Sequence, residues 1–201
     1  MSCAIDGYAA TALRLDVTDQ DSIREATDQL SATFGRLDAL INNASEMPDF
    51  TTLSALDADL DAVRSAIEVD VMGPWALVQA VLPLLSAAPA ARIVNVSSTS
   101  ALQLATGLDL GASLRAPAYS MAKHMLNALT VGLARAFADT AILVNAVDPG
   151  ETATHPERGD DTDRPASESA RGVVWAATLG ADGPSGGLFR DRLPLLGARH
   201  D

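Results

Sequence analysis

A tyrosine and a lysine four residues apart have side chains that could exchange a proton with a carbonyl or an alcohol. The segment Tyr119-Ser-Met-Ala-Lys123 is typical of the first turns of a helix, and residues at i and i+4 of a helix share one face. A neighbouring ammonium group stabilises a phenolate and lowers the tyrosine pKa from its ordinary value of about 10. The pair would then transfer protons near neutral pH. Because this spacing is common by chance, the surrounding sequence has to support the interpretation.

Length and composition are those of one globular domain. The chain has 201 residues, which is enough to bury a sizeable core. Its hydrophobic fraction of 48% argues against a disordered chain.

Charge and cysteine content narrow the partners and the compartment. A net charge of −12 argues against nucleic acid, since phosphate binding needs clustered Lys and Arg. Cys3 is the single cysteine, so no disulfide forms within the chain and a reducing compartment is expected. We also expect no signal peptide and no stretch that is long and apolar enough to span a bilayer. These observations predict a cytoplasmic protein without a membrane partner.

Strand-like and helix-like segments alternate along the chain. Strands are predicted at residues 11–15, 38–41, 92–96 and 141–147, with a short edge strand at 187–189. Helices are predicted from a cap at Thr18 to a stop at Gly35, and at 57–85, 117–138 and 166–179. Strict alternation of this kind predicts an α/β fold whose parallel sheet is covered on both faces.

Five short signatures occur in the order and rough spacing of one family. They read Leu15-Asp16-Val17, Asn42-Asn43-Ala44, Asn95-Val96-Ser97-Ser98, Tyr119-x-x-x-Lys123, and Asp148-Pro149-Gly150 with Thr154. Each signature lies at the end of a predicted strand or at the start of the appropriate helix. From residue 9 to residue 189 the chain resembles the short-chain dehydrogenase/reductase (SDR) family, and its carbonyl-reductase-like branch in particular. The resemblance implies a Rossmann-like, doubly wound parallel α/β sheet in a single, truncated domain spanning 1–201.

The glycine-rich turn with which that family opens is missing from this sequence. Before Gly35 the chain has one glycine, Gly7, so there is no G-x-x-x-G-x-G motif to bind the cofactor pyrophosphate. The expected fold lacks the family's first two strands and helices, and we expect this chain to bind its cofactor weakly. The cofactor implied is NAD or NADP, and the residues that select between them belong to the missing segment.

The resemblance assigns catalysis to Ser98, Tyr119, Lys123 and Asp70. Tyr119 would give a proton in ketone reduction and take one in alcohol oxidation, while Lys123 would lower its pKa and hold the nicotinamide ribose. Ser98 would bind the substrate oxygen. Asp70 stands where the family has asparagine, so its charge would raise the pKa of Tyr119, although its main-chain carbonyl can still hold a relay water. Ser45 stands where the family usually has glycine, and we expect it to crowd the backbone near the cofactor.

The resemblance also implies a set of cofactor contacts. Asp16 would accept a hydrogen bond from the adenine amino group, and Val17 would pack on the ring. Asn43 and Ala44 would line the ribose side. The remaining contacts, to the ribose, the carboxamide and the diphosphate, would come from Tyr119, Lys123, Pro149, Gly150, Thr152 and Thr154.

Two other features are predicted to lie outside the chemistry. His124 and His155 have no companions at metal-ligand spacing, so we expect solvated histidines and no metal. The segment 102–115 is longer than in most of the family and is predicted to form a loop over the substrate pocket, while 155–165 is charged and predicted to be flexible.

Three interpretations of function stay open at this point. The first is an NAD(P)-dependent oxidoreductase acting on a small carbonyl or alcohol, assembled as a homodimer or homotetramer through the helices at 57–85 and 117–138. The second is a catalytically inactive homologue that serves as a binding or dimerisation partner. The third is a fragment with no function of its own.

Overall fold

The computed structural model describes residues 2–5, 8–104, 114–153 and 163–196. Strands β1 (Ser2–Ile5) and β2 (Tyr8–Thr11) form an antiparallel pair separate from the main sheet. The strand predicted at 11–15 is therefore wrong. Pairing ends at Thr11, and residues 12–15 are not paired with another strand.

A five-stranded sheet lies at the centre of the described part of the chain. Its strands are β3 (Ala39–Asn42), β4 (Arg92–Val96), β5 (Leu143–Val147), β6 (Leu188–Arg190) and β7 (Leu193–Leu196), hydrogen-bonded in that order. The first four run parallel, and β7 runs antiparallel to β6. This parallel sheet confirms the predicted α/β class.

The strand predicted at the sheet edge is an inner strand. Strand β6 lies between β5 and β7, so the expectation that 187–189 forms the edge is wrong. A two-residue turn of Asp191 and Arg192 reverses the chain, with φ of 50° and 69°. Positive φ at both central residues matches the right-handed twist of a hairpin. Aspartate is common in such turns, but Arg192 stands where glycine usually follows it, so the pair is a weak turn signal in the sequence.

The first helix, α1 (Gln20–Phe34), starts one residue later than its predicted cap implies. Asp19, and not Thr18, caps it by accepting a hydrogen bond from the Asp21 amide at 2.9 Å. The Thr18 hydroxyl instead donates to Asp16. Gly35 ends the helix as predicted, at φ 69°.

The predicted helix at 57–85 is a continuous helical rod with a local change of pitch. It consists of α2 (Leu60–Ile67), a π-helical turn (Glu68–Met72) and α3 (Gly73–Ala87). By length and composition this rod could cross a membrane, contrary to expectation, although half of its most apolar window is buried inside the fold, as in a core helix. Such π-turns are rare and are frequently found at functional sites.

The remaining helices complete two layers around the sheet. They are α4 (Pro117–Ala136) and α5 (Ala166–Ala177), close to the predicted bounds. One sheet face buries Ile93 and Val144 against α1 and α3, and the other buries Val94 and Val147 against α5. Helix α4 packs on α2 through a second cluster that includes Leu126. Helices on both faces confirm the doubly wound arrangement.

Candidate active site

Three parallel strands end at the same edge of the sheet, and the predicted site residues follow them. Strand β3 ends at Asn42, β4 at Val96 and β5 at Val147. In open α/β sheets, ligands bind in the crevice outside the carboxyl ends of the strands. The segments that leave these strands hold Asn43, Ala44, Ser98, Asp148, Pro149 and Gly150.

The loop at residues 49–52 fixes the start of α4, the helix that carries Tyr119 and Lys123. The Asp49 carboxylate is 6% exposed and accepts hydrogen bonds from the backbone amides of Ala118 at 2.6 Å and Tyr119 at 3.4 Å. The Thr52 carbonyl accepts from the amide of Ala116, a buried non-glycine residue in the left-handed region at φ 48°. A carboxylate at a helix N-terminus satisfies free amides and favours the helix dipole. Sequence reasoning missed Asp49, because 69 residues separate it from the amide of Ala118.

Lys123 is buried beside Tyr119. Its ammonium group is 5.5 Å from the centre of the Tyr119 ring, and the side chain is 2% exposed. Nζ donates to the carbonyl oxygen of Val96 at 2.9 Å, at the end of β4. Burial lowers the pKa of Lys123, while the nearby Asp70 carboxylate raises it. The predicted juxtaposition of phenol and ammonium is present in the structure.

Asp70 forms an ion pair with Lys123 that the sequence did not predict in this form. Its Oδ1 lies 2.6 Å from Lys123 Nζ, and the Asp70 side chain is fully buried. The Ser45 hydroxyl donates to the same oxygen at 2.6 Å, and the Glu46 amide donates to Oδ2 at 3.1 Å. The π-turn carries Asp70 to this position. Ser45, expected to crowd a cofactor, is thus an exposed residue whose hydroxyl binds Asp70.

The pKa of Tyr119 is raised above its ordinary value, whereas the sequence predicted that Lys123 would lower it. Burial raises the pKa of Tyr119, a hydrogen bond with Ser98 lowers it, and the charges of Asp70 and Asp148 raise it. The expected lowering by Lys123 is therefore wrong for this chain, because burial dominates and Asp70 pairs with the ammonium group. Tyr119 is consequently a neutral phenol, able to give a proton, over a wide pH range.

Ser98 and Tyr119 lie on the same side of the site. Both are half-buried, and Ser98 follows β4 directly after Ser97. The Ser98 oxygen also accepts from the Ser100 amide at 3.1 Å, which caps a short helical turn. Both the predicted role at the substrate oxygen and a capping role are thus compatible with its geometry.

A chain of buried amide and hydroxyl groups ties the strand ends to α4. Asn42 donates to Asn95 at 2.8 Å, Asn95 donates to Thr130 at 2.9 Å, and the Thr130 hydroxyl donates to the Leu126 carbonyl. Buried polar groups that are satisfied in this way hold neighbouring elements in one arrangement. Asn42 and Asn95 belong to the motifs read from the sequence, but their pairing does not follow from the motifs.

The residues predicted to hold the adenine end lie on the surface before α1. Asp16 is exposed, and Thr18 donates to its carboxylate through both amide and hydroxyl, which lowers the pKa of Asp16. Val17 packs against Gly73, where an added Cβ would lie 2.8 Å from the Val17 Cβ. Asn43 and Ala44 are also exposed.

The other predicted cofactor contacts follow β5. Gly150 has φ +77°, and a Cβ there would lie 2.9 Å from Nη2 of Arg190 and 3.3 Å from Nε of Arg164. Thr152 donates to the Gly150 carbonyl at 3.1 Å and shares a 2.7 Å hydrogen bond with Ser169. Thr154, His155 and most of the predicted loop at 102–115 and of the flexible segment at 155–165 lie outside the described residues.

Comparison with known proteins identifies the family. Residues 3–180 match the family model described as enoyl-(acyl carrier protein) reductase. The oxidoreductase UcpA of Salmonella typhimurium is 31% identical over 176 residues, covering 83% of this chain, and cis-4-hydroxycyclohexanecarboxylate dehydrogenase of Sinomonas cyclohexanicum is 36% identical over 165 residues, covering 82%. The chain therefore belongs to the short-chain dehydrogenase/reductase family, an oxidoreductase family. It spans 62% of the length of each of these two relatives.

The fold agrees with that assignment. The crystal structure of NADPH-bound carbonyl reductase from chicken fatty liver superposes with a TM-score of 0.74 at 25% identity, covering 90% of this chain and 74% of the reductase. The predicted Rossmann-like sheet and the resemblance to carbonyl reductases are confirmed.

Proposed function

We propose that this chain carries the catalytic part of an NAD(P)-dependent oxidoreductase that interconverts a small carbonyl compound and its alcohol. The observation that carries the proposal is the convergence of Tyr119, Ser98 and the buried Lys123–Asp70 pair at the carboxyl edge of a parallel sheet. This arrangement offers a positioned proton donor and a hydrogen-bonding group for the reacting oxygen, which are the requirements of carbonyl reduction. The sequence matches to oxidoreductases support the same class of reaction.

Each of the four side chains has a role in this proposal. Tyr119 gives its proton to the carbonyl oxygen during reduction and takes it back during oxidation. Ser98 binds the same oxygen and stabilises the charge that develops on it. Lys123 orients the phenol and, with an ammonium proton beyond those bound to Val96 and Asp70, reaches the nicotinamide ribose. Asp70 holds that ammonium group in place.

The donor set at the sheet edge suits the nicotinamide half of a cofactor. When bound, the nicotinamide supplies the hydride for reduction or accepts it in oxidation. The absence of a Cβ at Gly150 lets the guanidinium groups of Arg190 and Arg164 lie against its backbone. Arg164 is paired with Asp191 at 2.7 Å and Arg190 with Asp148 at 3.5 Å, and a cofactor diphosphate would compete with these carboxylates for the two cations. The residues proposed to hold the cofactor are Asp16, Val17, Asn43, Ala44, Tyr119, Lys123, Pro149, Gly150, Thr152 and Thr154.

Assembly is proposed to use the outer faces of the long helices. Trp75 and Leu82 on α3, and Met121, Met125 and Val131 on α4, are apolar and between 37% and 45% exposed. Such faces are typical of helix packing between subunits. We propose a homodimer or homotetramer in the cytoplasm, the compartment that suits the single cysteine.

The test is consumption of NADH or NADPH by the purified chain with a panel of ketones, and the reverse reaction with cis- and trans-4-hydroxycyclohexanecarboxylate. Millimolar cofactor allows for weak binding. Tyr119→Phe is expected to remove nearly all turnover with little change in cofactor affinity, because only the transferable proton is lost. Lys123→Ala is expected to reduce both.

Tyr8→Phe is the matched control, because Tyr8 and Tyr119 are the two tyrosines of the chain. This control should keep the activity of the unaltered chain. If Tyr119→Phe instead kept most of the activity, the proton would come from another group and the assigned role would be refuted.

A further inference from the structure

Ser45 and Asp70 are 25 residues apart in the sequence and in direct contact in the structure. The Ser45 hydroxyl donates to Oδ1 of Asp70 at 2.6 Å, and the same oxygen contacts Lys123 Nζ at 2.6 Å. The Glu46 amide holds the second carboxylate oxygen at 3.1 Å. The Ser45 hydroxyl is therefore one of three donors that hold the Asp70 carboxylate.

The contacts of Asp70 with Ser45, Glu46 and Lys123 fix its carboxylate in one orientation. Asp70 is fully buried and Lys123 is 2% exposed, so water screens the pair weakly. The Glu46 side chain is itself held by a hydrogen bond from the Ser65 hydroxyl on α2, which anchors the backbone amide that binds Asp70. The carboxylate is therefore positioned from three directions: the end of β3, the π-turn and α4.

The pair changes the electrostatic field at the phenol. An unpaired ammonium group 5.5 Å from the ring would favour phenolate, whereas an ammonium group in contact with a carboxylate is close to neutral when seen from Tyr119. The other groups that face the phenol from neighbouring elements do not restore the positive charge. They are the Ser98 hydroxyl after β4 and the Asp148 carboxylate after β5, which is paired with Arg190 at 3.5 Å. The Asp49 carboxylate binds the backbone amide of Tyr119 and adds no positive charge.

We propose that Ser45, Asp70 and Lys123 act as one unit that keeps Tyr119 in its neutral, proton-donating form, and that the site is therefore set for carbonyl reduction at neutral pH. This inference rests on the proposed function. In that direction the carbonyl carbon gains a hydride from NAD(P)H and its oxygen gains the Tyr119 proton, which leaves an alcohol, NAD(P)⁺ and a phenolate that water reprotonates. Oxidation needs the phenolate first, so it is confined to alkaline pH. Asp70 and Ser45 are positioning residues in this unit.

The direct test measures the ionisation of Tyr119 without any cofactor. In a Tyr8→Phe background Tyr119 is the single tyrosine, so ultraviolet absorbance of the phenolate against pH reports its titration alone. A charge within about 4–6 Å of a titrating group shifts the pKa of that group by about one unit or more. Asp70→Asn is therefore expected to move the midpoint down by at least that amount, while circular dichroism confirms that the chain stays folded.

Ser45→Ala tests whether Ser45 affects Tyr119 through the charge of Asp70. Loss of the hydroxyl leaves the carboxylate less shielded, so the Tyr119 midpoint should rise by a few tenths of a pH unit. In the Asp70→Asn background the same substitution should have no effect. Ser31→Ala, which removes an exposed hydroxyl on α1, is the control and should change nothing.

Melting temperature gives a second measurement that needs no alkaline titration. Ser45→Ala should lower the melting temperature of the chain that has Asp70, and should lower it less in the Asp70→Asn background, where the Ser45 hydroxyl would bind a neutral amide oxygen. Equal effects of Ser45→Ala in both backgrounds, or superimposable titrations with and without Asp70, would overturn the proposal.

Activity distinguishes this inference from the proposed function. If the titrations shift as expected but the chain consumes no cofactor with any substrate, the proposed function fails and the electrostatic unit stands. If the chain is active, Asp70→Asn should raise the rate of alcohol oxidation near neutral pH. The same substitution should make the rate of carbonyl reduction begin to fall at a lower pH, because Tyr119 would lose its proton more easily. A chain that is active but shows no such change would refute the unit and leave the oxidoreductase function intact.

Discussion

Replacing Asp49 by alanine should weaken the attachment of α4 to the rest of the site. The Asp49 carboxylate accepts from the amides of Ala118 at 2.6 Å and Tyr119 at 3.4 Å, and it is nine-tenths buried. Removal of a helix cap costs about 0.5–2 kcal/mol, and hydrogen bonds to charged groups contribute about 1.5–3 kcal/mol. Because the two descriptions concern the same contacts and the freed Ala118 amide is buried, we expect a loss of about 2–3 kcal/mol.

That loss can be measured by thermal unfolding. For a chain of this size, 1 kcal/mol corresponds to about 2–4 °C in melting temperature, so Asp49→Ala should melt about 4–12 °C below the unaltered chain. Asp59→Ala is the matched control. Asp59 caps α2 by accepting from the Asp61 amide at 2.9 Å, but it is exposed. Its loss should cost about 1 kcal/mol. Asp49→Asn keeps an acceptor oxygen without the charge and should fall between the two.

The same substitution should affect catalysis through position. A displacement of about 1 Å in a reacting group can lower a rate by about a hundredfold, and Asp49 binds the backbone of Tyr119 directly. We expect kcat of Asp49→Ala to fall by about tenfold or more, while Asp59→Ala keeps its rate. If Asp49→Ala melts and turns over like Asp59→Ala, the loop does not position α4 and the reasoning is refuted.

Three further predictions concern packing and charge. Gly73→Ala should destabilise the chain by about 1–3 kcal/mol in urea unfolding, because the added Cβ would clash with Val17, before α1. Gly132→Ala adds a Cβ with nothing within 4 Å and should stabilise α4 slightly. Equal effects of the two substitutions would contradict this prediction. Lys123→Met leaves Asp70 buried without its counter-ion, so it should cost about 3–5 kcal/mol by the same measurement, and a loss below about 1 kcal/mol would argue against the ion pair. The pKa of Tyr119 in the folded chain is raised. Stability from the neutral phenol is therefore present below the unfolded pKa of about 10 and is lost as pH rises through the higher folded pKa. Tyr119→Phe should flatten this alkaline decline in the free energy of unfolding, and an unchanged decline would show that the phenol ionises normally.

Local signals allowed much of the fold to be predicted. Strand β4 and the start of α4 lie where the apolar run and Pro117 place them, and Gly35 ends α1. These features depend on residues close in the chain. The strand at 11–15 failed because a strand forms only beside a partner. The β6–β7 hairpin was missed because Asp191 is followed by Arg192 and not by the glycine that usually completes such a turn.

The site was predictable as a set of residues but not as an electrostatic unit. The spacing of Tyr119 and Lys123 is a property of one helix, so the sequence was enough to place them together. The direction of the Asp70 side chain depends on a π-turn, and its contact with Ser45 joins segments that are 25 residues apart. Burial then reversed the expected shift in the pKa of Tyr119, and burial is a property of the whole fold.

Transfer of deuterium from labelled cofactor to product tests the central claim most directly. NADPH or NADH carrying deuterium at the transferable position is incubated with a ketone and the purified chain, and the alcohol formed is analysed by mass spectrometry. We expect one deuterium on the carbinol carbon of the alcohol made by the unaltered chain and by Tyr8→Phe, and almost no labelled alcohol from Tyr119→Phe. Labelled alcohol formed by Tyr119→Phe at a rate close to that of Tyr8→Phe would contradict the assignment of Tyr119 as the proton donor.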